Sequence, residues 1–272
     1  MKKIVNYDLF SPELMEPIEL VRPVKKLRSV KKIQLPEPLG PLSQPEPVKS
    51  PVELDLVQQA GAAPALIMPS YWTDACKHLV RKDRVMKRLI PQFGNTCLQS
   101  RGDAFSTLAR SIIGQQISVK AAQTVWHRFA ALPAEMTPAH VLRLKVDDMR
   151  AAGLSARKVE YLVDLAIHFD AGRVHVKDWQ AMGDEAIIAE LIAIRGIGRW
   201  TAEMFLMFYL TRPNVLPLDD VGLINGISHN YFSGESVSRS DAREVAAAWA
   251  PYCSVATWYI WRSLDAKTAP AA

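Results

Sequence analysis

The sequence is poor in the residues that several common kinds of site require. Three cysteines among 272 residues (Cys76, Cys97 and Cys253) are too few and too scattered for a disulfide framework or a C-x-x-C metal site. No run of 18 apolar residues occurs, which leaves no transmembrane helix and no membrane partner to expect. The first residues, MKKIVNYDLFSPELMEP, carry two lysines, but acids and a proline interrupt the apolar stretch that a secretory signal needs. Also missing are a GxxxxGK[ST] phosphate loop, an HExxH zinc pair, a GxSxG nucleophile elbow and a GxGxxG turn after a strand. ATPase, metal-hydrolase and serine-nucleophile chemistry are therefore not indicated. His127, His140, His168, His175 and His229 share no ligand-like spacing, so no metal is expected. The expected setting is a reduced cytoplasm, with association to the nucleoid if the cell is bacterial.

What the chain does contain divides near residue 70. Of its 18 prolines, 11 fall in the first 69 residues. Proline lacks a backbone donor and pushes its predecessor out of the helical region, so 1–69 is expected to be an extended, mostly disordered tail. A basic cluster, Arg22, Lys25, Lys26, Arg28, Lys31 and Lys32, lies within it. Such a run serves as a non-specific phosphate-binding arm or a targeting signal or, more commonly, as a solvated linker. The net charge of +5 leans toward a polyanionic partner.

From Tyr71 the pattern is helical. Trp72, Ala75, Cys76, Leu79, Val80, Val85, Met86 and Leu89 recur at three- and four-residue spacing, which predicts a helix over 72–89. Further helices are expected near 103–113, 118–131, 138–144, 146–152, 155–170, 184–194, 199–210, 220–229, 240–249 and 252–265. Period-two alternation is absent, so the fold class is all-α.

One stretch stands out. A helix ending at Ile194 runs through Arg195-Gly196-Ile197-Gly198 directly into a second helix beginning Arg199-Trp200-Thr201. Two glycines permit a tight turn and close approach of another backbone. The second helix then offers free N–H groups and the positive end of its dipole to an anion such as a DNA phosphate. An ordinary tight helix connection gives the same pattern, and on the turn alone that reading is the favoured one. The Asp219-Asp220 pair follows one helix later; an aspartate there is usually a helix cap.

In combination these segments resemble the helix–hairpin–helix (HhH-GPD) DNA glycosylase superfamily, and within it the DNA-3-methyladenine glycosylase II branch. The resemblance rests, in order, on LARSIIGQQIS at 108–118, GLSARK at 153–158, GIGRWTAEMF at 196–205 and WAPY at 249–252. It spans about 71–265. It implies two helical subdomains with a cleft between them: a central barrel about 107–219, and a second subdomain from 70–106 plus 220–268, giving a domain over 70–268.

The resemblance also implies roles. Asp220, by its distance from Trp200, takes the place of the catalytic aspartate, ionised and either opposing the positive charge that builds on the sugar as the N-glycosidic bond breaks or orienting and deprotonating the attacking water; Asp219 is then a cap or an orienting partner. Trp200, Trp261 and Met204 take base-pocket positions, with Met204 standing where the branch has a tyrosine. A cationic alkylated purine stacked on indole gains ~0.5–2 kcal/mol per contact and is a good leaving group without a general acid. Gly196, Ile197, Gly198, Arg199 and Thr201 of the hairpin, with Gln115, Gln116 and Ser118, are the implied DNA-binding residues. One of the two glutamines is the wedge filling the space of a flipped base; the leucine wedge of the family falls on Gln116.

Bifunctional relatives carry a lysine at the Trp200 position; tryptophan there implies a monofunctional glycosylase that leaves an abasic site. Three dispersed cysteines exclude the iron–sulfur cluster of another branch. No cofactor is expected, with room for a monovalent cation at the hairpin. The implied partner is double-stranded DNA containing alkylated bases, bound by a monomer. Two alternatives stay open: a glycosylase for another lesion class, and a non-catalytic DNA-binding hairpin module. Arg157 and Lys158 are read as a solvated helix face.

Overall fold

Polar side chains that accept hydrogen bonds from a first helical turn fix where most of the helices begin. Asp83, Asp103, Ser118, Thr137, Ser155, Asp220 and Ser238 each cap the helix that follows. Pro138 supplies the preset φ of a first-turn position behind Thr137. The computed structural model describes residues 68–268 apart from 95, 96, 99 and 101. The expected tail thus lies, but for Met68 and Pro69, outside the described residues.

Twelve α-helices follow in order among the described residues: α1 (Trp72–Lys82), α2 (Arg84–Leu89), α3 (Ala104–Gly114), α4 (Val119–Ala130), α5 (Pro138–Val141), α6 (Val146–Ala151), α7 (Ala156–Asp170), α8 (Asp184–Ile192), α9 (Arg199–Phe208), α10 (Val221–Tyr231), α11 (Arg239–Ala246) and α12 (Cys253–Thr268). A 3-10 turn (Ile90–Gln92) follows α2, and no strand occurs among the described residues. The all-α expectation holds. One boundary is corrected: the helix expected over 72–89 breaks at Asp83. Its backbone is extended there, and its carboxylate caps α2 through the Val85 and Met86 N–H groups.

The packing forms two sets. Helix α3 packs on α4, α7 and α9, α7 also holds α5 and α6, and α8 lies on α9. In the second set α12 packs on α1, α2 and α10, with α11 against α10. Trp72, Trp179 and Trp249 are fully buried anchors. Each removes roughly 200 Å² from water, at most about 5 kcal/mol at about 25 cal/mol per Å². Gly226 lets α10 and α12 approach closely: a Cβ there would stand 2.2 Å from the Ile260 Cγ2. That contact brings the middle of α10 against the middle of α12. Among the described residues no helix is long and apolar enough to cross a membrane.

Candidate functional site

Asp220 opens α10, and its position follows from that helix start. Its Oδ1 accepts from the Leu223 N–H at 2.6 Å, the ordinary geometry of an N-cap. Two further donors come from far along the chain. The Trp261 indole on α12 donates to Oδ1 at 2.9 Å, and the Trp200 indole on α9 donates to Oδ2 at 2.9 Å. Asp220 is fully buried, at 0% exposure. Three N–H donors make a set complementary to an ionised, acceptor-only carboxylate. Capping is done by Asp220 itself; Asp219 instead pairs with Arg239 at the start of α11, at 2.5 Å.

Around this carboxylate the walls are aromatic. Trp200, Met204 and Phe208 recur every four residues and so share one face of α9. Trp200 is half-buried, whereas Met204 is buried within the core. Phe208 lies parallel to Trp261, with ring centroids 5.9 Å apart and planes within 5°. The first helix set therefore contributes Trp200 and Phe208, and the second Asp220 and Trp261. Sequence reasoning missed Phe208; its i+8 spacing from Trp200 was the available signal. Trp258 and Tyr259, on the same helix as Trp261, are both buried, and the Tyr259 hydroxyl accepts from the Trp72 indole in the core.

The hairpin between α8 and α9 separates the roles of its two glycines. Gly196 has φ +88°, and a Cβ there would stand 2.2 Å from the Tyr161 ring on α7, so glycine is required twice over. Gly198 has an ordinary φ of −95°, and a Cβ there would meet nothing within 4 Å. Its value is open space in front of α9, whose first turn no side chain caps. Helix α7 braces the turn from below: the Asp164 carboxylate accepts the Arg195 N–H at 2.7 Å, and Glu160 pairs with the Arg195 guanidinium at 3.1 Å. Ile197 is buried under the turn, and Thr201 is buried behind it.

Arg199 is exposed but engaged, bound to Glu185 at 2.5 and 3.0 Å and to Glu203 at 3.0 Å. Glu203 is almost fully buried. Burial pushes its carboxyl up to about 7, Arg199 opposes that rise, and the negative charges of Asp219 and Glu185 add to it. Its Oε2 has no hydrogen-bond partner.

The loop joining α3 to α4 faces the hairpin. Gln115 is half-buried and donates its amide to the Gly196 carbonyl at 2.9 Å. Gln116 is exposed and adopts a left-handed φ of +60°, which costs a non-glycine residue about 1–2 kcal/mol. Ser118 caps α4 through the Ala121 N–H at 3.3 Å. Lys158 is not the solvated residue expected: its Nζ donates to the Ile113 carbonyl at 2.6 Å, and burial holds its ammonium below the usual lysine range. Among the described residues no cluster of three metal-ligating side chains occurs. A monovalent cation at the hairpin would find main-chain carbonyls, of which Ile194 and Gly196 already accept the Ile197 N–H and the Gln115 amide.

Comparison with known proteins agrees with this arrangement. Residues 109–251, more than half of the chain, match the model of the HhH-GPD superfamily base excision DNA repair proteins. The crystal structure of a Bacillus halodurans DNA-3-methyladenine glycosidase is 34% identical, with a TM-score of 0.67 covering 71% of this chain and 91% of that one. A Schizosaccharomyces pombe 3-methyladenine DNA glycosylase in complex with abasic DNA is 30% identical, with a TM-score of 0.64 over 71% of this chain and 97% of that one. YfjP of Bacillus subtilis, provisionally named as a DNA-3-methyladenine glycosylase, is 33% identical over 169 residues, and the match spans 59% of its length. A hairpin with an uncapped helix start, a buried carboxylate one helix later and the family match across both lead to one conclusion: the chain belongs to the HhH-GPD superfamily of base excision DNA repair proteins.

Proposed function

We propose that this protein is a monofunctional DNA N-glycosylase that excises alkylated purines such as 3-methyladenine and 7-methylguanine from duplex DNA, leaving an abasic site. One observation carries the reading: a fully buried carboxylate held by two indole N–H groups and a helix amide. A structural cap such as Asp83 gathers its donors within one helix set, whereas one of the indoles on Asp220, that of Trp200, comes from the other set. Two tryptophans drawn from different helix sets fix Asp220 between the half-buried Trp200 and the Trp261–Phe208 stack. A base turned out of the duplex meets π-faces suited to its positive ring, and its sugar meets the carboxylate.

The chemistry is then electrostatic. As the N-glycosidic bond lengthens, its electron pair leaves with the cationic purine and neutralises it. Positive charge appears on the sugar, where the Asp220 carboxylate opposes it in a water-poor site. Water adds to the sugar and passes a proton to the carboxylate or to solvent. Trp200, in place of an amine, offers no Schiff base, so the strand stays intact. The hairpin and the uncapped start of α9 hold backbone phosphate without reading sequence. We place the base site between the two helix sets, in a monomer working in the cytoplasm without a metal.

The similar S. pombe enzyme bound to abasic DNA supports a DNA partner of this kind. Chromatography of bases released from a methylated duplex, in chelator, tests the reading: free 3-methyladenine and 7-methylguanine with intact strands are expected. Release of neither base, with duplex binding retained, overturns it in favour of another lesion or a non-catalytic module.

A further inference from the structure

The loop between α3 and α4 and the hairpin between α8 and α9 are far apart in sequence, yet one hydrogen bond joins them. Gln115 Nε2 donates to the Gly196 carbonyl at 2.9 Å across 81 residues. A carbonyl can only accept, so the amide must present its NH2, and its oxygen is turned away from that contact. Gln116, the next residue, is exposed and has a left-handed backbone. The two adjacent glutamines therefore have opposite fates.

Helix α7 supports both loops from beneath. Lys158 at its start holds the last turn of α3 through the Ile113 carbonyl. One turn later the Tyr161 ring fills the space under Gly196, and a further turn on Asp164 accepts the Arg195 N–H. Both loops are thus tied to a common base, and Gln115 is the direct cross-tie between them.

We infer that Gln115 is a positioning residue, not a wedge: its bond to the Gly196 carbonyl locks the loop bearing Gln116 to the hairpin, so that gripping the DNA backbone and presenting Gln116 to the duplex happen as one rigid movement. The inference rests on the glycosylase reading for what the locked loops do, but the lock itself is a property of the free protein. It assigns insertion to Gln116 and makes the spacing between the phosphate grip and the inserted side chain a fixed quantity, set by one amide.

The test uses substitutions at Gln115 that separate filling space from donating a hydrogen bond. Leucine fills a gap in a duplex but cannot donate to a carbonyl; lysine can donate; glutamate turns an acceptor toward an acceptor. Single-turnover base release is measured on methylated duplex and on the same strand alone, where no base must leave a stack. Gln115→Leu and Gln115→Ala should both slow duplex release on the order of 5- to 20-fold. Each should slow single-strand release by a clearly smaller factor. Gln115→Glu should be slower still, and Gln115→Lys should recover part of the loss.

Hydrogen exchange of hairpin amides 195–200 in the free protein should be faster in Gln115→Leu and unchanged in Gln116→Ala. Wild-type duplex rates in Gln115→Leu would make Gln115 the wedge and overturn the proposal. So would equal losses on duplex and single strand, the mark of general misfolding, or unchanged hairpin exchange. Absence of base release by the wild type defeats the glycosylase reading alone; the lock then stands or falls on the exchange measurement.

Discussion

Two aspartates in this protein are built alike and differ in one respect. Asp83 and Asp220 each begin a helix, each cap it through first-turn amides, and each accept an indole N–H. Asp83 is surrounded by its own helix set: the half-buried Tyr231 hydroxyl donates at 2.7 Å and the fully buried Trp249 indole at 3.0 Å. Asp220 receives one of its indoles from the other set, and that ring, Trp200, is only half-buried. The same capping chemistry closes one helix set in the first case and joins the two sets in the second. The chemistry of the carboxylate does not distinguish them; the surroundings do.

The largest expected effect breaks that pairing. Asp220→Asn keeps shape and capping but removes the charge, and single-turnover base release should fall by a factor on the order of 10² to 10³. Asp83→Asn should leave the release rate of the folded enzyme within about twofold of wild type. Its counterpart Asp83→Ala strips the acceptor from four donors and should cost about 2–4 kcal/mol in denaturant unfolding.

Next comes the hairpin. Gly196→Ala places a methyl into the Tyr161 ring at a left-handed φ, and a loss of about 2–3 kcal/mol of stability with weaker binding to every duplex is expected. Gly198→Ala meets open space at an allowed φ, so stability should stay within about 0.5 kcal/mol. Any loss of duplex affinity there comes from the methyl standing before the phosphate, which titration of the two variants separates.

A smaller effect concerns Glu203, the buried carboxyl beside Arg199. Its folded value of about 7 lies above the free value of 4.5, so the folded state holds the proton more tightly. The unfolding free energy is therefore undiminished below about pH 4.5 and declines as the pH rises through 7. Glu203→Gln should stabilise the protein at pH 8, by up to about 3 kcal/mol, and give no gain at pH 4. Thermal unfolding at the two pH values checks both the size and the sign.

Much of this architecture is legible in the chain because its signals are local. The helix expected over 155–170 is Ala156–Asp170, placed by a capping serine and a four-residue apolar rhythm. Thr137-Pro138 announces α5 in the same way. The break at Asp83 is not legible, since VRKDRV continues the helical spacing and only the buried partners of the carboxylate reveal the cap. Asp220 and Trp200 are legible through their spacing and family resemblance, but the Trp261 bond depends on α10 and α12 closing over Gly226, and the Trp200 bond on α9 meeting the start of α10. Gly196 reads as a turn glycine from the sequence, while the Tyr161 ring beneath it lies 35 positions away in the chain and appears only in three dimensions. Lys158 looked solvated for the same reason, because its carbonyl partner is supplied by α3.

The most direct test of the central claim, that the Asp220 carboxylate is aimed at positive charge developing on the sugar, is a pair of affinities. Wild type and Asp220→Asn are titrated with duplexes carrying at one position either a neutral tetrahydrofuran abasic site or a pyrrolidine, its cationic nitrogen analogue. Wild type should bind the cationic duplex at least about tenfold more tightly, and Asp220→Asn should lose that preference while binding the neutral duplex as before. A preference for the cation that survives in Asp220→Asn would place the stabilising charge elsewhere and leave Asp220, like Asp83, a cap.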